Sequence, residues 1–144
     1  MATNIAQRVL NRHLCAAAPM QYRSLEDAAM YDPKYGAPGA KVWYAEDDAL
    51  RDLLMGSDFC LKHEIPLPTR ATLKRTHKLL GTVGTHNPDE IFNMMQGEAW
   101  SPNGEARAFI SHLGIHHTSM SVGDVIEIGS KLLMVDGNDF YECE

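Results

Sequence analysis

A chain of 144 residues, 44% hydrophobic and 22% charged, has the length and make-up of one folded domain, which excludes a disordered polymer. Its 13 basic residues are outnumbered by 19 acidic ones, and the net charge of −6 disfavours a protein held chiefly by nucleic-acid phosphates. No apolar run nears the ~18–20 residues of a membrane span. The N-terminus lacks the apolar stretch of a signal peptide, and Cys15, Cys60 and Cys143 are odd in number and far apart, so free thiols in a cytoplasmic setting are expected.

Along the chain, residues 3–18 read as a helix, with Thr3 or Asn4 as cap and Ile5, Val9 and Leu10 on one face, ended by Pro19. A short helix is predicted over 24–30. The Pro- and Gly-rich stretch 31–40 reads as a surface loop. The β-branched and aromatic run 41–45 predicts a strand. Residues 46–55 predict a helix with an acidic first turn of Glu46, Asp47 and Asp48 and an apolar face of Leu50, Leu53 and Leu54, stopped at Gly56. The sequence IPLP at 65–68 is a proline-punctuated connector at which the organisation changes. Residues 69–83 fit a helix by their ends and a strand in their second half. Asn87-Pro88-Asp89-Glu90 is a strong helix start, with a capping side chain, proline at the first position and acids in the first turn. Ser101-Pro102 is expected to start a second helix, with Ala106, Phe109, Ile110 and Leu113 at helical spacing. From Ser121 the pattern turns to strands. Residues 125–128, 131–135 and 140–141, with turns at Gly129-Ser130 and Asp136-Gly137-Asn138, predict a three-strand meander. The expected fold is therefore α+β: a small, mostly antiparallel sheet with a C-terminal meander, packed by several short helices. It is read as a single domain over 1–144, with an N-terminal part (1–68) and a C-terminal module (69–144).

Two strings in the C-terminal module carry a resemblance: MQGEAWSPNGEAR at 95–107 and HTSMSVGDVI at 117–126. They resemble the YodL-like proteins of phages and mobile elements, whose pattern is a strand, a helix, and a small, polar SMSVGDVV-type stretch leading into a terminal hairpin. The resemblance covers roughly the last half of the chain, and HTSMSVGD is its specific part. It implies a phage or mobile-element accessory protein in the cytoplasm of a bacterial host, binding and modulating a host protein, with counter-defence as one such role. The family has no established catalytic residues to carry over, and the first 68 residues match nothing recognised.

Three groups of residues are candidates for binding. Trp100 with Asn103, Glu105 and Arg107 forms a shaped corner between two predicted helices, with Glu98 beside it. Trp100 there reads as a plug between helices before it reads as a binding anchor. His117, Ser119, Ser121 and Asp124 hold the residue types of a nucleophilic triad, yet no Gly-x-Ser-x-Gly elbow is present, and hydroxyls serving backbone groups in a turn is the plainer reading. Arg75 and Lys78 belong to the one basic cluster, with Arg70, Lys74 and His77; such a run is more often a solvated face than a phosphate site. On a strand, Lys74, Thr76 and Lys78 would share a face. His112, His116 and His117, or Cys60 with His63, lack the compact spacing of a zinc site, so neither a metal nor a cofactor is expected. Binding is favoured over catalysis. The alternatives are a nucleic-acid-binding module using the basic cluster, and a small enzyme with a pocket lined by His117, Ser119, Asp124 and Glu98. Self-association is a further expectation for so small a domain.

Overall fold

A computed structural model describes residues 40–144. The helices predicted over 3–18 and 24–30, and nearly all of the loop at 31–40, lie outside the described residues.

Five strands form one sheet: β1 (Ala40–Ala45), β2 (His77–Val83), β3 (Val125–Ile128), β4 (Lys131–Val135) and β5 (Phe140–Glu142). Their order is β2-β1-β3-β4-β5, and every pairing is antiparallel. Six short helices accompany them among the described residues: α1 (Asp47–Leu53), α2 (Ser57–Lys62), α3 (Leu73–Thr76), α4 (Pro88–Met94), α5 (Gly97–Trp100) and α6 (Arg107–His112). The fold is α+β. The strand that precedes the IPLP connector, β1, lies between two that follow it, so both parts of the chain build the same sheet.

Strand periodicity divides the core into two layers. Successive side chains of β1 point to opposite faces. Ala40, Val42 and Tyr44 meet Ile91, Met95, Trp100, Phe109 and Ile110 from α4–α6. Trp43 points the other way and meets Leu53 of α1, Cys60 of α2, Leu73 of α3, and Leu132 and Met134 of β4. With both faces covered, β1 carries almost no polar residue, as a doubly buried strand requires. The β1–β2 register shifts between Val42, which pairs with Gly81, and Trp43, which pairs with Leu79. The extra residue is Leu80. The bulge turns Leu80 and Val83, three positions apart, into the same core layer.

Several local expectations meet their physics here. Asn87 caps α4 with its side-chain oxygen, which accepts from the N–H groups of Asp89 (3.0 Å) and Glu90 (3.2 Å). The ambiguous stretch 69–83 divides at His77 into α3 and β2. Lys74 and Thr76 therefore sit on a helical turn and share no strand face with Lys78. Ser101-Pro102 starts no helix. Gly104 adopts a left-handed φ of 81° that interrupts helical geometry, and α6 begins only at Arg107. The Ser101 hydroxyl oxygen instead accepts from Ala106 N–H (2.9 Å), and a Glu105 carboxylate oxygen accepts from Asn103 N–H (2.7 Å), holding the intervening turns. Helix α2 had no sequence prediction. Its start is capped from far along the chain: Asp136 accepts from Ser57 N–H (3.1 Å) and from the Ser57 hydroxyl.

Candidate functional site

The loop between α6 and β3 is tied down along its length. The Trp100 side chain is fully buried, and its indole N–H donates to the Thr118 carbonyl (3.0 Å). The Tyr44 hydroxyl donates to the same carbonyl (2.7 Å). Ser119 Oγ accepts from Gly97 N–H (2.8 Å), and Ser121 Oγ donates to the Ser119 carbonyl (3.0 Å). Gln96 adds a bond to the Met120 carbonyl (3.2 Å). Trp100 thus plugs the junction of α5 with this loop, and both serine hydroxyls are engaged with backbone. Asn103 and Arg107 are exposed on the far side of the corner. The guanidinium of Arg107 lies over Gly104, and no hydrogen bond among the described residues joins Asn103 or Arg107 to the 117–124 loop.

Two of the candidates do converge. Asp124 has no exposure. Its carboxylate accepts from Ala45 N–H at the end of β1 and from Ser121 N–H, both at 2.8 Å. His117 Nε2 lies 3.0 and 2.9 Å from the two carboxylate oxygens. The imidazole stacks on the Tyr44 ring, centroids 4.7 Å apart and nearly parallel. Its other nitrogen, Nδ1, is buried with no hydrogen-bond partner. On the β2 side, His77 is buried; its Nε2 donates to the Gly123 carbonyl (2.8 Å), because a carbonyl only accepts. His77 Nδ1 then accepts from the Thr76 hydroxyl (2.7 Å). Burial holds the Asp124 carboxyl above its ordinary range, against the opposing pull of His117 and the two N–H groups. Burial likewise holds His77 below its ordinary value, and burial with the nearby Asp124 charge raises Tyr44 well above its own. An Asp–His pair with one free ring nitrogen has half the geometry of a general base. With the serines turned to backbone, the pair ties β1 to the 117–124 loop, and His77 separately ties β2 to the same loop.

Two open clefts lie on the opposite face of the sheet. Between α1 and residues 65–76 runs a cleft of about 320 Å³, floored by Ala49, Leu53, Ile65 and Leu67 and edged by Asp52 and Arg75. A neighbouring recess of about 250 Å³ shares Ala49, Asp52, Arg75 and Thr76 and adds Glu46 and Asp48. On the other side of the IPLP segment, a second cleft of about 450 Å³ is lined by Cys60, Leu61, Tyr141 and Cys143. Next to these, the turn joining α1 to α2 leaves Leu54 54% exposed and Met55 64% exposed, and Leu61 of α2 is 55% exposed. The prolines explain the shape. Pro66 and Pro68 have no N–H to offer a sheet, so the segment lies along the surface as a wall with clefts on either side.

The basic cluster is dispersed by this geometry. Arg70 donates to Glu127 (2.6 Å) and to the Gly129 carbonyl (2.8 Å), and Glu127 in turn accepts from the Trp43 indole (3.1 Å). His77 is buried, Lys78 is half-buried on β2, and Lys74 is exposed. Only Arg75 of this group lines the cleft. His116 pairs with Asp47 (2.6 Å), and among the described residues no group of three or more His, Cys, Asp or Glu side chains is arranged to hold a metal. The thiols beside the second cleft are held protonated at neutral pH: burial raises Cys60, and burial pushes Cys143 up to about 11.

The cleft's lining escaped the sequence reading, apart from Arg75. The signal was present in IPLP, where two apolar residues alternate with two that cannot join a sheet.

No family model matches the chain, and no match was found to a curated protein or a solved structure.

Proposed function

We propose that the chain is a protein-binding module that docks its partner on the face built by α1, α2 and residues 65–76. The single observation behind this reading is the exposed apolar surface there: Leu61 lining the second cleft, and Leu54 and Met55 exposed in the turn that follows Leu53 of the first. Exposed side chains of this size are ordinary singly, and grouped around clefts they mark interaction surfaces. The resemblance of residues 95–107 and 117–126 to YodL-like proteins supports a setting for it: a phage or mobile-element accessory protein that binds and modulates a host protein, as a counter-defence factor would.

The test is capture from a bacterial lysate, nuclease-treated and washed across a salt series, by the tagged wild-type chain and by a Met55→Glu, Leu61→Glu variant. A stoichiometric protein retained by the wild type and lost by the variant supports the reading. Recovery of nucleic acid alone, released as salt rises, would replace it with the nucleic-acid module. A partner held equally by both chains would move the docking face elsewhere.

A further inference from the structure

We infer that the cleft between α1 and residues 65–76 takes a peptide segment whose apolar anchor side chain is flanked by lysine or arginine; the inference rests on the protein-binding reading above and specifies its ligand. The volume of about 320 Å³ stands at the small end of ligand pockets, which run from roughly 300 to 1,000 Å³. It has room for an anchor side chain rather than an enclosed small molecule. The floor of Ala49, Leu53, Ile65 and Leu67 matches such an anchor.

The charge around the floor sets the flanking chemistry. The adjoining recess brings together Glu46, Asp48 and Asp52 against the single guanidinium of Arg75. Among the described residues the carboxylates of Glu46 and Asp52 have no hydrogen-bond or ion-pair partner, and Asp48 meets only Arg51, loosely, at 3.7 Å with both side chains largely in solvent. Among the described residues the recess therefore carries more negative than positive charge, three carboxylates against Arg75 and the loosely held Arg51. It attracts a basic residue placed beside the anchor and repels a phosphate backbone. The mode of recognition follows from the wall. Pro66 and Pro68 present no N–H, so the wall offers a peptide few main-chain donors and recognition rests chiefly on side chains.

The experiment is fluorescence polarisation of the full chain with short fluorescein-labelled peptides carrying one Leu or Phe anchor, flanked by Lys, Ser or Glu. The expected affinity order is Lys, then Ser, then Glu. The Lys preference should shrink roughly fivefold in a Glu46→Gln, Asp52→Asn variant, and shrink again as salt is raised. An Ala49→Trp variant, which fills the cleft from its half-buried α1 side, should abolish binding of the whole series while leaving the circular dichroism unchanged. Anchor-dependent binding that ignores flanking charge and is lost in Ala49→Trp would overturn this inference and leave the protein-binding reading standing. A preference for Glu, or binding untouched by Ala49→Trp, would overturn it as well. If no peptide in the series binds, the inference falls, and the capture experiment with the Met55→Glu, Leu61→Glu variant decides the broader reading separately.

Discussion

Asp124 accepts from two backbone N–H groups and one imidazole with no solvent to replace any of them. Its replacement by alanine leaves those donors unpaired in the interior. Removing one partner of a buried, hydrogen-bonded pair costs about 3–5 kcal/mol, so urea unfolding of Asp124→Ala should show the unfolding free energy lowered by that amount, with an earlier midpoint. His77 makes the neighbouring region sensitive to acid. Its folded-state pKa lies below the ordinary 6.5, first because of burial, and it is raised in part by its bond to Gly123 and by the charges of Asp124 and Glu46, with His117 acting against them. The unfolded chain therefore takes up the proton first. The stability that neutral His77 contributes is complete above pH 6.5 and is lost as pH falls through the depressed value. Asp124 has the opposite slope. Its raised pKa makes the folded chain the better proton binder, so stability falls as pH climbs from 3.8 toward that value. Unfolding midpoints of wild type and His77→Gln across the acid range separate the two: the variant should lose less stability than the wild type on acidification below pH 6.5, and equal losses would assign the acid response elsewhere. From sequence, His117 and Asp124 were paired as triad types without their actual role. The partners that define that role, Ala45 N–H and the Tyr44 ring, come from a strand some eighty positions away, and spacing carries no trace of them.

Helix α2 depends on a cap supplied by Asp136, at the turn that follows β4, and on Gly56 in front of it. Gly56 has φ of 94°, and a Cβ there would lie 2.8 Å from the Asp136 carboxylate that holds Ser57. Gly56→Ala thus combines backbone strain with displacement of the cap, at a cost of about 1–3 kcal/mol; thermal denaturation should show the loss, and an unchanged melting temperature would mean the cap tolerates displacement. Elements with self-contained signals were legible. The α4 start, the meander and its turns, and the strand at 41–45 needed only local chemistry. The helix expected at Ser101-Pro102 failed for an equally local reason, the left-handed Gly104. Helix α2 was invisible because its six residues are too few for a periodic signal and its cap lies 79 positions away.

Over the whole described molecule, core side chains fill both faces of the sheet, and the apolar residues left outside are concentrated near the α1–α2 turn. If that surface serves a partner and not the fold, replacing Leu54, Met55 and Leu61 together by serine should leave the unfolding free energy within about 0.5 kcal/mol per position while weakening partner capture. A large loss of stability would mean that these side chains pack in solution. The α+β class was readable from the order of helical and strand patterns. The clefts were not, because they exist only where the 65–76 segment comes to lie against α1 on one side and beside α2 and the β5 end on the other, a tertiary event that no local pattern encodes.

The interior place of β1, between β2 and β3, has a consequence in time. Of the described strands it leaves the ribosome first, yet one of its neighbours, β3, belongs to the last to be made; Trp43 and its partner Glu127 are 84 residues apart. Until β3 emerges, the run Val42-Trp43-Tyr44 lacks its pairing on one edge and part of its cover, so closure of such distant contacts sets the pace of folding, typically in milliseconds to seconds. The nascent chain passes through an interval in which its stickiest strand depends on chaperones, or on speed, to stay out of aggregates.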